Sequence, residues 1–244
     1  MTILVVGASG ATGKLLVDQL LESGQKVKIV VRSTSNFPDH WNNNQQLTVI
    51  KRNITEITVE EMSAIIADCQ FVASCLGHNL TLKGIFGKPR KLVADTVRLL
   101  CEAILKNGHE KPMQFVLMNT AGNRNKDMAE HISSGEKIVA GLLRLLIPPY
   151  PDNEKAADYL RMRVGQNNPH IQWVVIRPDN LINEQRVTNY SLHKSPTRSA
   201  VFNSGNTSRI NVAHFMTRLV LDNNLWNKWK GQMPVIYNDS EPTK

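Results

Sequence analysis

Long apolar runs are missing from this 244-residue chain: none approaches the roughly 20 residues that a bilayer-spanning helix needs. The opening MTILVVG has neither a basic flank nor a small-residue cleavage site, so it reads as a buried strand and not as a secretory leader. Cysteine is scarce. Cys69, Cys75 and Cys101 cannot all pair and fit no zinc spacing, so they read as reduced thiols in a cytoplasmic protein. The seven histidines include no i,i+4 pair and no carboxylate-framed group, which argues against a protein-held metal. Linkers, low-complexity tracts and internal repeats are absent as well. The expectation is one domain over residues 1–244, with no membrane partner.

The remaining composition is ordinary for a globular chain, at 41% hydrophobic and 20% charged residues. The formal charge of +8 could serve nucleic acid or an anionic small molecule. The densest basic stretch, KGIFGKPRKLVADTVR, carries Lys83, Lys88, Arg90, Lys91 and Arg98 without interleaved aromatics. It reads as a solvated or phosphate-facing surface, which disfavours nucleic acid and leaves a small molecule as the expected partner.

Apolar runs without period-two alternation (TILVV, KVKIVV, LTVIK, QFVASCL, QFVLMNTAG, IQWVVIRP) alternate with helix-period segments. Strands buried on both faces mark a parallel sheet between helices, so the pattern predicts a doubly wound α/β fold of Rossmann type. Helices are expected over about 89–106, 128–146 (broken by Pro148 and Pro149), 153–164 and 212–221. From about residue 179 the segments become short and polar, ahead of a last strand at MPVIY. That stretch reads as a small elaboration on the substrate side.

Gly7, Gly10 and Gly13 stand three apart, directly after the first strand and opening an amphipathic helix. In such a turn Gly7 allows the tight bend, Gly10 lets backbone approach a ligand, and Gly13 permits close helix packing. The helix N-terminus then faces a diphosphate. A P-loop is excluded, because five residues separate Gly7 from Gly13-Lys14 and Leu15 follows. No carboxylate lies between Glu22 and Asp39, whereas Arg32 stands at the tip of the second strand beside Ser33 and Ser35. A guanidinium there suits the 2′-phosphate of NADP, and the carboxylate typical of NAD sites is missing.

These residues resemble the atypical short-chain dehydrogenase/reductase superfamily, in particular the branch with flavin reductase/biliverdin IXβ reductase and the nitrogen-metabolite-repression regulators. VVGASGATGK is similar to the family's glycine loop, VVRS to its NADP-type strand end, and ASCLGHN to the fourth-strand end under adenine and ribose. FVLMNTAG, EKAADYLR, WVVIRPDNL and SRINVAHFMTRLVLD follow in the family's order. The resemblance implies a cofactor set in which Gly7, Ser9, Gly10, Ala11, Thr12 and Gly13 take the diphosphate, and Arg32 and Ser33 the 2′-phosphate. Cys75, Leu76 and Gly77 lie under the adenine and ribose, and Asn53 and Ile54 complete the cofactor-binding set. Asn119, Thr120, Lys155 and Pro178 reach the nicotinamide, with Thr120 and Lys155 as the catalytic candidates.

Two departures stand out. The family pairs a catalytic Tyr with a Lys four residues later; Lys155 fits, but Pro151 occupies the Tyr position and Tyr150 is one out of register. One residue of helix turns a side chain by about 100°, so Tyr150 is expected to point elsewhere. Asp179 stands where the flavin-reductase branch has His. Lys155 reads equally as a ribose ligand or as a surface charge beside Asp158. Asn119 and Thr120 read also as turn residues before Gly122. His78, alone in a loop, reads as solvated, with the cofactor border as the alternative. Trp226 and Trp229 read as packing or a subunit contact.

The reading that results is an NADPH-dependent reductase of a small conjugated or aromatic acceptor, monomeric or homodimeric. The alternatives are a non-catalytic NADP(H) sensor and an epimerase or isomerase of related fold.

Overall fold

The computed structural model describes residues 1–32, 37–78, 87–128, 130 and 132–239. Strand β1 (Thr2–Val6) leads through the glycine turn into α1 (Ala11–Glu22) and β2 (Lys26–Val31). Then follow β3 (Leu47–Lys51), α2 (Val59–Ile66), β4 (Phe71–Ser74), α3 (Leu92–Asn107) and β5 (Met113–Met118). Helices α4 (Ser134–Leu146) and α5 (Pro149–Asp158), the latter continuing into a π-helical turn over Tyr159–Val164, precede β6 (Ile171–Pro178). The sheet runs β3-β2-β1-β4-β5-β6 in parallel, the order of a Rossmann-type fold.

Burial on both faces explains the unalternated strand sequences. One apolar layer packs α1 and a late helix, α6 (Arg209–Leu221), against Ile3, Val5, Phe71 and Val174. The opposite layer packs α2, α3 and α5 against Leu4, Val72, Phe115 and Val175. Trp226 belongs to the first layer, edge-on to Phe71 with ring centroids 5.5 Å apart, and Trp229 is buried in the same layer. Both tryptophans are core, carried by α7 (Asn223–Trp229), a helix the sequence pattern did not reveal.

The region after Pro178 is more ordered than its polar sequence suggests. Strand β10 (Val235–Asn238) joins β6 in parallel, and β8 (Tyr190–His193) closes that end antiparallel to β10. β7 (Asn180–Ile182) and β9 (Asn206–Ser208) form a separate two-stranded ribbon. Two helix bounds also differ from expectation. Helix α4 begins at Ser134, fixed by a Ser133/Glu136 capping box, because the preceding residues are committed elsewhere. Pro149 opens α5 and does not merely break α4, since a first-turn proline gives up no hydrogen bond.

The commitment before α4 is to Arg177. This side chain on β6 is fully buried and meets the buried Glu130 through two contacts of 2.7 and 3.1 Å. Its remaining donors reach the carbonyls of Met233 at 2.6 Å, Asn123 at 2.9 Å and Lys194 at 3.2 Å. Glu130 accepts in addition from the Asn125 N–H at 2.8 Å. Arg177→Met should lower the unfolding free energy by about 3–5 kcal/mol in a urea titration, because it strands a buried carboxylate. Arg177→Met combined with Glu130→Leu should cost less than Arg177→Met alone; an equal or larger loss would show that the pairing is not the source of the effect.

Candidate functional site

The glycine turn is built by its own backbone. Gly7 takes φ +78°, its carbonyl accepts from the Gly10 N–H at 3.0 Å, and the Gly10 carbonyl starts α1 by accepting from Lys14. A Cβ on Gly7 would lie 2.6 Å from the Cys75 backbone, and one on Gly13 2.1 Å from the Gly7 oxygen. Those two glycines are therefore needed by the fold itself. A Cβ on Gly10 would meet only the Gly7 oxygen, at 3.2 Å, and would otherwise enter the adjacent cavity. A side chain at Gly10 would therefore take up cavity space and not core space.

The first turn of α1 supports the same conclusion. Its N-cap is Gly10, no side chain caps it, and the turn holds no acidic residue. The free N–H groups and the helix dipole are left to an external anion, as a dinucleotide diphosphate requires. Ala11 is exposed there and Thr12 is buried. The cavity above, of about 440 Å³, is lined by Gly7, Ser9, Gly10, Arg32, Asn53, Ile54, Cys75, Leu76, Gly77 and His78, with Arg52 and Lys88 on the same wall. Asn53 caps a short 3-10 turn by accepting from the Thr55 N–H at 3.4 Å. Burial pushes the Cys75 thiol up to about 12, so it is inert lining at the end of β4. Ser33 and Lys83 lie outside the described residues.

His78 differs from the solvated loop residue expected. Its Nε2 lies 2.8 Å from Asp152 Oδ2, with side-chain exposures of only 5% and 1%. Asp152 also accepts from the N–H groups of Val93 at 2.9 Å and Ala94 at 3.0 Å, capping α3 from a neighbouring helix. A carboxylate that takes two backbone donors is an acceptor toward His78 too, which places a proton on Nε2.

A second cavity, of about 650 Å³, opens where β5 and β6 end. Thr120, Gly122, Arg124, Tyr150, Asp179 and Arg198 line it, with Ala140 and Leu143 of α4 as one wall. Thr120 Oγ1 accepts from the Gly122 N–H at 3.3 Å. Asn119 lies beneath, donating to the Asn153 carbonyl at 2.9 Å and accepting from the Thr120 N–H at 2.9 Å. The Tyr150 hydroxyl donates to the Gly122 carbonyl at 2.8 Å, and burial raises its phenol above the ordinary tyrosine range. Burial likewise raises the Asp179 carboxyl, against the pull of the Gly205 N–H donated to Oδ2 at 2.7 Å.

Tyr150 thus faces the cleft, contrary to the expectation that it points away. The register argument assumed that Lys155 marks the inward face of the helix. Instead α5 begins at Pro149 and presents its first turn to the cleft. Five residues of helix separate Tyr150 from Lys155 by about 140°, so the two cannot share a face. Lys155 is exposed and lines neither cavity; Asp158 pairs with Lys126 and Arg161. Pro178 is buried at the end of β6, its carbonyl accepting from the Ala121 N–H at 2.8 Å. Among the described residues no His, Cys, Asp and Glu group could hold a metal, and no helix is long and apolar enough to cross a membrane.

The different duties of the glycines give a paired test. Gly10→Val should abolish NADPH binding in a titration while the circular dichroism spectrum stays that of the parent. Gly13→Ala should instead destabilise the fold, because its Cβ collides with backbone. Retained NADPH affinity in a folded Gly10→Val protein would remove the diphosphate from this loop.

The comparisons with known proteins agree with this geometry. No curated protein matches the chain in sequence. A short-chain dehydrogenase/reductase from Veillonella parvula in complex with NADP superposes with a TM-score of 0.71 at 14% identity, over 100% of this chain and 99% of that one. An anaerobilin reductase from Escherichia coli O157:H7 gives 0.68 at 16% identity, over 100% of both chains. A candidate NADH-flavin reductase from Streptococcus pneumoniae gives 0.65 at 17% identity, over 98% of this chain and 100% of that one. At such identities the likeness is one of fold. The family match is in sequence: the NAD(P)H-binding profile covers residues 7–223, from the first glycine of the cradle into α7. The chain belongs to the NAD(P)H-binding family of Rossmann-type proteins.

Proposed function

We propose that the chain is an NADPH-dependent reductase that passes hydride to a small conjugated acceptor, flavin- or quinone-like. The observation that carries this reading is the succession of two cavities along the C-terminal strand ends. One has a phosphate-ready glycine cradle and Arg32; the other holds Thr120, Tyr150 and Asp179. The loop Gly7–Gly13 would hold the diphosphate and Arg32 the 2′-phosphate, with Thr120 nearest the nicotinamide. Bound NADPH supplies the hydride. The exposed position of Lys155 supports its reading as a surface charge.

Arg32 implies a cofactor preference. NADPH should bind at least about tenfold more tightly than NADH, or about 1.4 kcal/mol, which is modest for a charge-assisted phosphate contact. Arg32→Glu should reverse the order in a fluorescence titration. Equal dissociation constants in the parent would overturn the assignment.

The chemistry expected follows from the cleft's proton donors. A phenol lends its proton to a carbonyl oxygen efficiently when a neighbouring lysine lowers its pKa. Here Tyr150 is raised by burial, its proton is directed at the Gly122 carbonyl, and Lys155 lies off the cleft face. Acceptors that take hydride without an enzymatic acid, with water supplying the proton, are therefore favoured. Steady-state NADPH oxidation should be fast with quinones or flavins and slow with simple ketones. Tyr150→Phe should keep most of it, and Thr120→Leu should lose most of it. Ketone turnover matching quinone turnover, and lost in Tyr150→Phe, would make Tyr150 the acid. The same separation of Tyr150 from Lys155 favours a second reading, a non-catalytic NADP(H) sensor, and counts against an epimerase. NADPH binding without oxidation across such acceptors would select the sensor.

A further inference from the structure

We infer that Arg52 is a second guanidinium of the 2′-phosphate site, acting beside Arg32. The inference rests on the NADP reading above and concerns a residue that the glycine-loop and strand-end motifs do not include. The register of β2 against β3 sets Val31 opposite Lys51, and the Arg52 N–H continues that ladder to the Val31 carbonyl at 2.9 Å. Arg32 and Arg52 each follow the last paired position of their strand. Paired positions on parallel strands project to the same side, and both residues line the cofactor cavity.

Two like charges placed opposite each other on a sheet repel, so the arrangement costs stability unless something anionic comes between them. The carboxylate that pairs with Arg52 is Glu61, which does not itself line the cavity. Glu61 is fixed by the capping box of α2, with Oε2 accepting from the Thr58 N–H at 2.9 Å. Its other oxygen, Oε1, accepts from the Arg52 guanidinium at 2.9 Å. Glu61 thereby orients Arg52 through one NH2 group, and among the described residues no other side-chain partner takes its remaining donors. Lys88 lines the same cavity. Among the described residues that line the cavity, Arg32, Arg52 and Lys88 are cationic and none is a carboxylate, a lining that suits a phosphomonoester of about −1.5 to −2 at neutral pH. A diphosphate does not need this end of the cavity, because the α1 N-terminus already serves it.

The test compares parent and Arg52→Gln in equilibrium titrations with four ligands: NADPH, NADH, adenosine 2′,5′-bisphosphate and adenosine 5′-monophosphate. The expected result is a loss of about tenfold for the two 2′-phosphorylated ligands with the other two within about twofold of the parent. Arg52→Lys should recover only part of the loss, since a point charge lacks the planar fork. Unchanged binding of the two ligands that lack a 2′-phosphate serves as the folding control. A parent that prefers NADPH together with an Arg52→Gln protein that keeps the full preference overturns the Arg52 assignment alone. An equal loss for all four ligands overturns it as well, by showing a general effect on the cavity. A parent without preference overturns the NADP reading and this inference with it.

Discussion

The walls of the second cavity depend on the buried pair of Arg177 and Glu130. Arg177 is carried by β6, a central strand, whereas most of what it binds belongs to irregular chain: the loop after β5, the turn before β10 and the segment after β8. A guanidinium has five donors in a rigid plane, and here they converge on backbone oxygens and one carboxylate. Loops that have little apolar surface of their own are thereby fixed to the sheet. Thr120, Gly122 and Arg124 stand within three residues of Asn123, and Glu130 itself borders the cleft. The wall of the second cavity is thus an extension of one ion pair whose desolvation is offset by complete hydrogen bonding.

The cofactor side is held differently. Backbone packing dominates there, with Gly7 and Gly13 pressed against neighbouring main chain and little side-chain bonding in the turn. The two sides meet through α5. Its Asp152 caps α3 and binds His78 on the first cavity, while Tyr150, two residues earlier, lines the second. One short helix therefore contributes to both cavities and fixes their spacing.

The central fold was legible in the sequence because the inner parallel strands β1, β4, β5 and β6 are buried on both faces and show as uninterrupted apolar runs, whereas the edge strand β3 is only partly buried. The ribbon of β7 and β9 was not, since three-residue strands such as Asn180–Ile182 carry no periodicity and pair across a long gap in the chain. The glycine loop was marked by its spacing together with its place between the first apolar run and an amphipathic helix. Arg52 did not, because its place beside Arg32 is a property of strand register, which becomes visible only when β2 and β3 are aligned. Tyr150 was misdirected by a family spacing counted from Lys155, when the start of α5 at Pro149 decides which face meets the cleft. His78 and Asp152 are far apart in sequence, and nothing local marks either as the other's partner.

The uncapped first turn of α1 has a thermodynamic corollary. The same helix packs its apolar face against α6 in the core, and Gln19 donates to the Ile210 carbonyl at 3.3 Å. Whatever anion occupies its N-terminus completes an element on which the whole upper layer rests. Occupancy then becomes a term in the folding equilibrium, contributing about 2.7 kcal/mol when free ligand stands at a hundred times its dissociation constant. Such a chain would unfold and be degraded more readily whenever its dinucleotide runs low, so the size of the cellular pool would set its abundance as well as its occupancy.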